Sequence, residues 1–311
     1  MLLLCNINFK KSNLYHTNNF KFVTNTRNMK KVKIILIPIF LVVSFTLFLL
    51  PQHSQCFVFA KTEENTTEVA ESQKPMLAIV IDDFGSFDRS GVKTMLSIEA
   101  PLTCAIMPNL DYSTEDMENA LKSGKEIILH MPMQSHVNLP ADWYGPIYIY
   151  NTDTPVEDTN KLEKCLETMP EAKGFNIHIG SGVSQNITLM KAITNYAKAH
   201  NLYFLDSRTH MGTVGEEVAK TEGSTYLGRD EFLEPNHDKS YSGVKKHLLV
   251  GRDLALEKGH AIVIGHVGSH GGENTAKAIK DTIKEIKDSG VEVVFLSDLY
   301  KKISRTPVAT N

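Results

Sequence analysis

The chain has 311 residues, 42% of them hydrophobic, and carries a formal net charge of −3 from 33 Lys and Arg against 36 Asp and Glu. That length suits one large α/β domain with ample core. No basic stripe or aromatic-interleaved Lys/Arg cluster appears, which argues against nucleic acid as a partner, and four cysteines imply no disulfide framework.

The amino end reads as a leader. Residues 1–28 are polar, Asn-rich and without periodicity, and Met29 is an alternative start that would make them non-native. Residues 29–60 combine Lys30-Lys31, the uncharged run Ile34 to Leu50, and the small-residue pattern Val58-Phe59-Ala60, the grammar of a signal peptide. The expectation is export to a periplasmic or extracellular location. A membrane anchor is the alternative, since the run approaches the length of about 17 residues that spans a bilayer. Cys56 follows His53-Ser54-Gln55, which does not suit lipidation. Residues 61–75 are acidic and Thr/Glu-rich and read as a flexible linker. A single folded domain is expected over 76–302, with a tail at 303–311.

Within the domain, short apolar runs repeatedly end in an ionisable residue. Leu77 to Ile81 runs into Asp82-Asp83, Glu126 to Leu129 into His130, and Lys173 to Ile177 into His178. Leu202 to Leu205 runs into Asp206, the weaker Ser224 to Gly228 into Arg229-Asp230, and Ala261 to Gly265 into His266. Leu102 to Met107 and Val291 to Leu296 add two further strands. Between them, Ser113 to Ser123, Asn186 to His200, Ser242 to Lys258 and Thr275 to Ser289 read as helices. About eight strands alternating with helices predict a parallel α/β structure, in which polar groups at the strands' carboxyl ends share one rim. Cys104 and Cys165 fall on apolar patterns and are expected to be buried thiols.

Asp83, His130 and His178 offer one hard oxygen and two imidazoles, a mixture that suits Zn²⁺ and leaves a coordination position open. Asp82 is then the candidate base and His266 the candidate acid, with Asp206 as the carboxylate that would orient His266. Arg208 and Arg229 would bind substrate oxygens or pair with Asp206 and Asp230 in a structural network. His136, His210, His237 and His270 lie in loops near the proposed rim, His136 being the best substitute ligand.

The segments LAIVIDDFG, EIILHMPM, GFNIHIGS, YFLDSRT, GRDEFLE and AIVIGHVG, in this order, resemble the divergent polysaccharide deacetylase family over about Met76 to Lys302. The resemblance implies a distorted (β/α)7–8 barrel with its active site at the carboxyl rim and a divalent metal, expected to be Zn²⁺. By position, Asp82 matches the base, Asp83 the metal carboxylate, His130 and His178 the metal imidazoles, and His266 the late histidine. Ile177, Gly182, Gln134 and Val267 stand where relatives carry Asn, Arg, Glu and Pro, so substrate-facing positions differ while the metal set is kept. The implied activity is removal of acetyl groups from a cell-envelope or extracellular polysaccharide. A non-catalytic glycan-binding or envelope-assembly protein on the same barrel is the alternative.

Overall fold

The computed structural model describes residues 74–305. The export segment 29–60, most of the linker, Cys5, Cys56 and residues 306–311 lie outside the described residues.

Nine strands run in chain order: β1 (Met76–Phe84), β2 (Thr103–Ile106), β3 (Glu126–Met133), β4 (Gly174–Ile179), β5 (Tyr203–Asp206), β6 (Leu227–Gly228), β7 (Glu231–Phe232), β8 (His260–His266) and β9 (Glu292–Val294). Between and after them lie α1 (Val92–Leu96), α2 (Ser113–Lys122), α3 (Pro155–Leu166), α4 (Ile187–Ala199), α5 (Gly215–Thr221), α6 (Tyr241–Lys258), α7 (Gly272–Asp288) and α8 (Leu296–Arg305). The sheet order is β6-β5-β4-β3-β2-β1-β8-β7, and every strand pairing is parallel. The two edge strands are one short stretch of chain. Between them Arg229 donates its N–H to Asp206 O (3.1 Å) and Asp230 donates to Ile262 O (2.8 Å), so this segment links β5 to β8. The result is a distorted (β/α) barrel. β1 lies at its centre, pairing with β9 over Met76–Ala78, with β2 over Val80–Phe84 and with β8 along most of its length.

Side-chain alternation explains both the core and the site. Leu77, Ile79 and Ile81 belong to a large cluster that also contains helix residues such as Met95, Leu248 and Ile279. Ala78 and Val80 belong to a smaller cluster with Ala105, Ile128, Leu205, Ile262 and Ile264, the barrel interior. With a period of two, the next inward positions are Asp82 on β1, His130 on β3 and His266 on β8. On β4, Phe175 and Ile177 face the helices, so Asn176 and His178 face in. At the opposite end α8 closes the interior with Leu296 and Leu299. Its first turn is tied to buried Thr103 and Glu126, which accept from the N–H groups of Leu296 and Ser297 (both 3.1 Å).

Several elements differ from the sequence expectation. The run 224–228 forms strand only at Leu227–Gly228, and β9 stops at Val294 because Leu296 already begins α8. The two-residue strand β7 and helices α1, α5 and α8 are too short or too irregular in pattern to announce themselves. Cys104 and Cys165 are buried and unpaired, and burial raises both thiol pKa values.

Candidate metal centre

Alternation alone would turn Asp83 outward, away from Asp82. Instead the strand breaks there: Asp83 takes a φ of 70°, and the β1–β2 register shifts between Ile81 and Phe84. A left-handed non-glycine residue is strained by about 1–3 kcal/mol and persists where its surroundings hold it. Here Asp116, fully buried on α2, accepts the N–H of Gly85 (2.7 Å) and pairs with Arg89, pinning the chain just beyond the break. Both acids therefore reach one rim.

Asp83 Oδ1, His130 Nε2 and His178 Nδ1 form a triangle with sides of 3.1, 3.2 and 3.4 Å. Neighbouring ligands around a tetrahedral ion with bonds of about 2.0–2.1 Å stand about 3.3–3.4 Å apart, so the set fits a zinc-sized ion. The outer partners fix which nitrogens face inward. His130 donates Nδ1–H to Asn176 Oδ1 (2.7 Å), and His178 donates Nε2–H to the carbonyl of Trp143 (3.1 Å). In the neutral rings the two facing nitrogens then carry lone pairs beside a carboxylate oxygen, an arrangement that a cation relieves. These three residues are the one group among the described residues with the donor spacing of a metal site. His270 donates Nδ1–H to the other Asp83 oxygen (2.9 Å). Burial alone would raise the Asp83 carboxyl, but hydrogen bonds from His130, His178 and His270 outweigh it and hold it well below its usual range.

Asp82 stands beside this group, with Oδ2 3.7 Å from His130 Nε2 and Oδ1 accepting from Asn176 Nδ2 (2.8 Å). Burial raises its pKa, only partly offset by His130 and His266, which suits a proton acceptor. His266 pairs in register with Asp82 on the adjacent strand. It donates Nδ1–H to Glu234 Oε2 (3.1 Å), leaving Nε2 to exchange a proton. Burial disfavours its charged form, yet Glu234, Asp83 and Asp82 together push it up to about 9.

Glu234 corrects one expectation, because Asp206 does not orient His266. On β5 the inward residues are Tyr203 and Leu205, so Asp206 turns outward. There it accepts from Arg208 N (2.8 Å), Thr213 Oγ1 (2.8 Å) and Tyr226 Oη (3.1 Å), and its carboxylate fills the space beside Gly215. It organises the β5–α5 connection. Glu234 is the last residue of the GRDEFLE segment, and a second acid closing that apolar stretch was the available signal. Asn176 was likewise missed, although it lies two residues before His178 on the same strand face. His136 is not a substitute ligand: its Nδ1 bonds Ser181 Oγ (2.8 Å) and its ring packs against His210. The loop histidine that does reach the centre is His270.

Two clefts meet at the centre, sharing Asp83, His178, Ile179 and His270. The first, of about 560 Å³, also contains Asp82, His130, His266, Phe232, Arg208 and Arg229. Both arginines are partly committed: Arg208 donates to Tyr226 Oη and the Arg229 carbonyl (both 3.0 Å), and Arg229 to the carbonyls of Ser207 (2.7 Å) and Arg208 (2.9 Å). The second cleft, of about 610 Å³, is lined by Phe87, Leu110, Leu139 and Trp143 together with several acids.

The chain is 29% identical over 194 residues to the uncharacterized protein YibQ of Escherichia coli K12, covering 61% of this chain and 58% of that protein. It is 26% identical over 225 residues to an uncharacterized protein of Haemophilus influenzae, covering 72% of this chain and 76% of that one. The crystal structure of the uncharacterized protein ATU2773 from Agrobacterium tumefaciens shares the fold with a TM-score of 0.66 at 18% identity, over 74% of this chain and 91% of that chain. A sequence model described as divergent polysaccharide deacetylase matches residues 79–300, which include all of the strands β2 to β9 and every residue of the metal centre. The chain belongs to the divergent polysaccharide deacetylase family.

Proposed function

We propose that the protein is a metal-dependent hydrolase that removes acetyl groups from a cell-envelope or extracellular polysaccharide. The observation that carries this reading is the division of labour between adjacent acids: Asp83 completes a three-donor set while Asp82, with a raised pKa, stays free beside it. A divalent ion held by Asp83, His130 and His178, most simply Zn²⁺, supplies Lewis acidity and lowers the pKa of water to about 7. Asp82 takes the proton of the attacking water as its oxygen bonds to the acyl carbon. His266, protonated up to about pH 9, gives its Nε2 proton to the departing amine or alkoxide as the acyl C–N or C–O bond breaks. Glu234 holds the imidazole for that transfer, and Arg208 and Arg229 line the cleft that receives the acylated sugar. The family supports the substrate class, and Lys30-Lys31 with the following apolar run supports export, with any membrane contact made through that segment. Acetate release from a panel of N- and O-acetylated envelope glycans, with and without chelator and alongside metal analysis of the purified protein, tests the reading. Metal binding without acetate release from any glycan would favour a binding protein instead.

A further inference from the structure

The two clefts that share the metal centre carry opposite charge. The first has Arg208 and Arg229. The second has no Lys or Arg and gathers Asp88, Asp111 and Asp142 from the loops that follow β1, β2 and β3. None of these three carboxylates pairs with a lysine or arginine among the described residues, and Asp111 and Asp142 are exposed. The same cleft displays two bare aromatic rings, Phe87 (86% exposed) and Trp143 (52% exposed). Trp143 is held in place from both sides: its carbonyl accepts from the ligand His178, and the hydroxyl of neighbouring Tyr144 accepts from Ser135 N (3.1 Å). A rigid exposed indole beside unpaired carboxylates offers a stacking face and a place for positive charge.

We propose that this second cleft is a subsite for a cationic sugar: an amino-sugar unit whose nitrogen is already free and protonated, next to the acetylated unit at the metal centre. The inference rests on the reading of the centre as a polysaccharide deacetylase and names the substrate it prefers, a partly de-N-acetylated polymer. The sugar's apolar face stacks on Trp143 while its ammonium group lies among Asp88, Asp111 and Asp142. Each unit freed of acetate at the centre would then become a favourable neighbour for the next, so that hydrolysis proceeds in runs along the chain.

Calorimetric titration of the full-length, zinc-loaded protein tests this with a glucosamine pentamer and with cellopentaose, which has the same rings but a hydroxyl in place of the ammonium. The expected result is about tenfold tighter binding of the glucosamine pentamer at low salt, a gap that narrows as salt screens the charges. Asp111→Asn with Asp142→Asn should weaken the glucosamine pentamer by about three- to tenfold and leave cellopentaose unchanged, whereas Trp143→Ala should weaken both. Equal binding of the two pentamers, or a gap that survives in the double variant, overturns the proposal. So does a pentalysine that binds as tightly as the glucosamine pentamer with no effect of Trp143→Ala, since charge alone would then account for binding. Acetate release from an acetylated pentamer is read in parallel. Preference without acetate release would sink the hydrolase reading and leave the cationic subsite standing, and acetate release without preference would do the reverse.

Discussion

Replacing Asn176 with Leu removes one buried amide that serves both halves of the centre while keeping a side chain of similar volume. Asn176 is fully buried, takes the Nδ1 proton of His130 and gives one to Asp82. The variant leaves an imidazole N–H and a carboxylate oxygen without partners in the interior. Each unsatisfied group costs about 1–3 kcal/mol, so the metal-free protein should lose about 2–6 kcal/mol of stability. For a domain of this size that lowers Tm by about 4–24 °C. His130 would also lose the bond that fixes its tautomer and ring angle, and loss of such an outer partner weakens metal affinity by about 10- to 100-fold. Chelator competition gives the zinc Kd, and thermal melts of the metal-free proteins give the stability change separately. An Asn176→Leu protein with the wild-type Kd and the wild-type Tm would refute the view that Asn176 sets the ligand. A lower Tm with an unchanged Kd would confine its role to packing.

The adjacent acids should separate cleanly. Asp83→Ala should lose metal and activity together, whereas Asp82→Asn should keep metal and lose turnover by about 10²- to 10⁴-fold, read as metal content and acetate release on folded proteins. Activity that depends on protonated His266 should fall as pH rises through about 9. In Glu234→Gln a charge-assisted bond worth about 1.5–3 kcal/mol becomes a neutral one, so the alkaline limb of the pH–rate profile should move down by about 1–2 pH units. An unmoved limb would assign it to another group. The raised pKa of His266 also stabilises the fold fully below about pH 6.5, and this contribution should fade as pH climbs toward 9, visible as a declining Tm. Amino-terminal sequencing of the mature protein should find Lys61 outside the cytoplasm, and a membrane-bound species beginning at Met29 would show an anchor instead.

Much of the barrel was legible because buried parallel strands are short apolar runs, and β1, β3, β4 and β8 each end in the ionisable residue that meets the centre. What periodicity could not convey was which face of each run points inward. Asp206 and His266 look alike at the ends of their strands, yet one turns toward α5 and the other toward Asp82. Nor does a sequence announce a broken strand: Asp83 joins its neighbour only through a left-handed turn held by Asp116, 33 positions away. Glu234 and His270 reach the centre through loop geometry, which carries no repeat to read.

β1 is the first strand made and the one that waits longest for its partners. Its pairing with β2 forms early, but β8 and β9, which complete it, are almost the last segments of the domain, and α8 seals the interior after them. A chain emerging in order from a ribosome or a translocation pore therefore exposes the edge of β1 and the apolar lining of the barrel until residue 294 or beyond has appeared. Such long-range closure is slow and leaves sticky surface bare in the meantime. Truncation before β9 would remove part of the pairing of β1 and the plug beneath the centre at once, so the last 20 or so described residues, far from the chemistry, decide whether the nascent chain folds or aggregates.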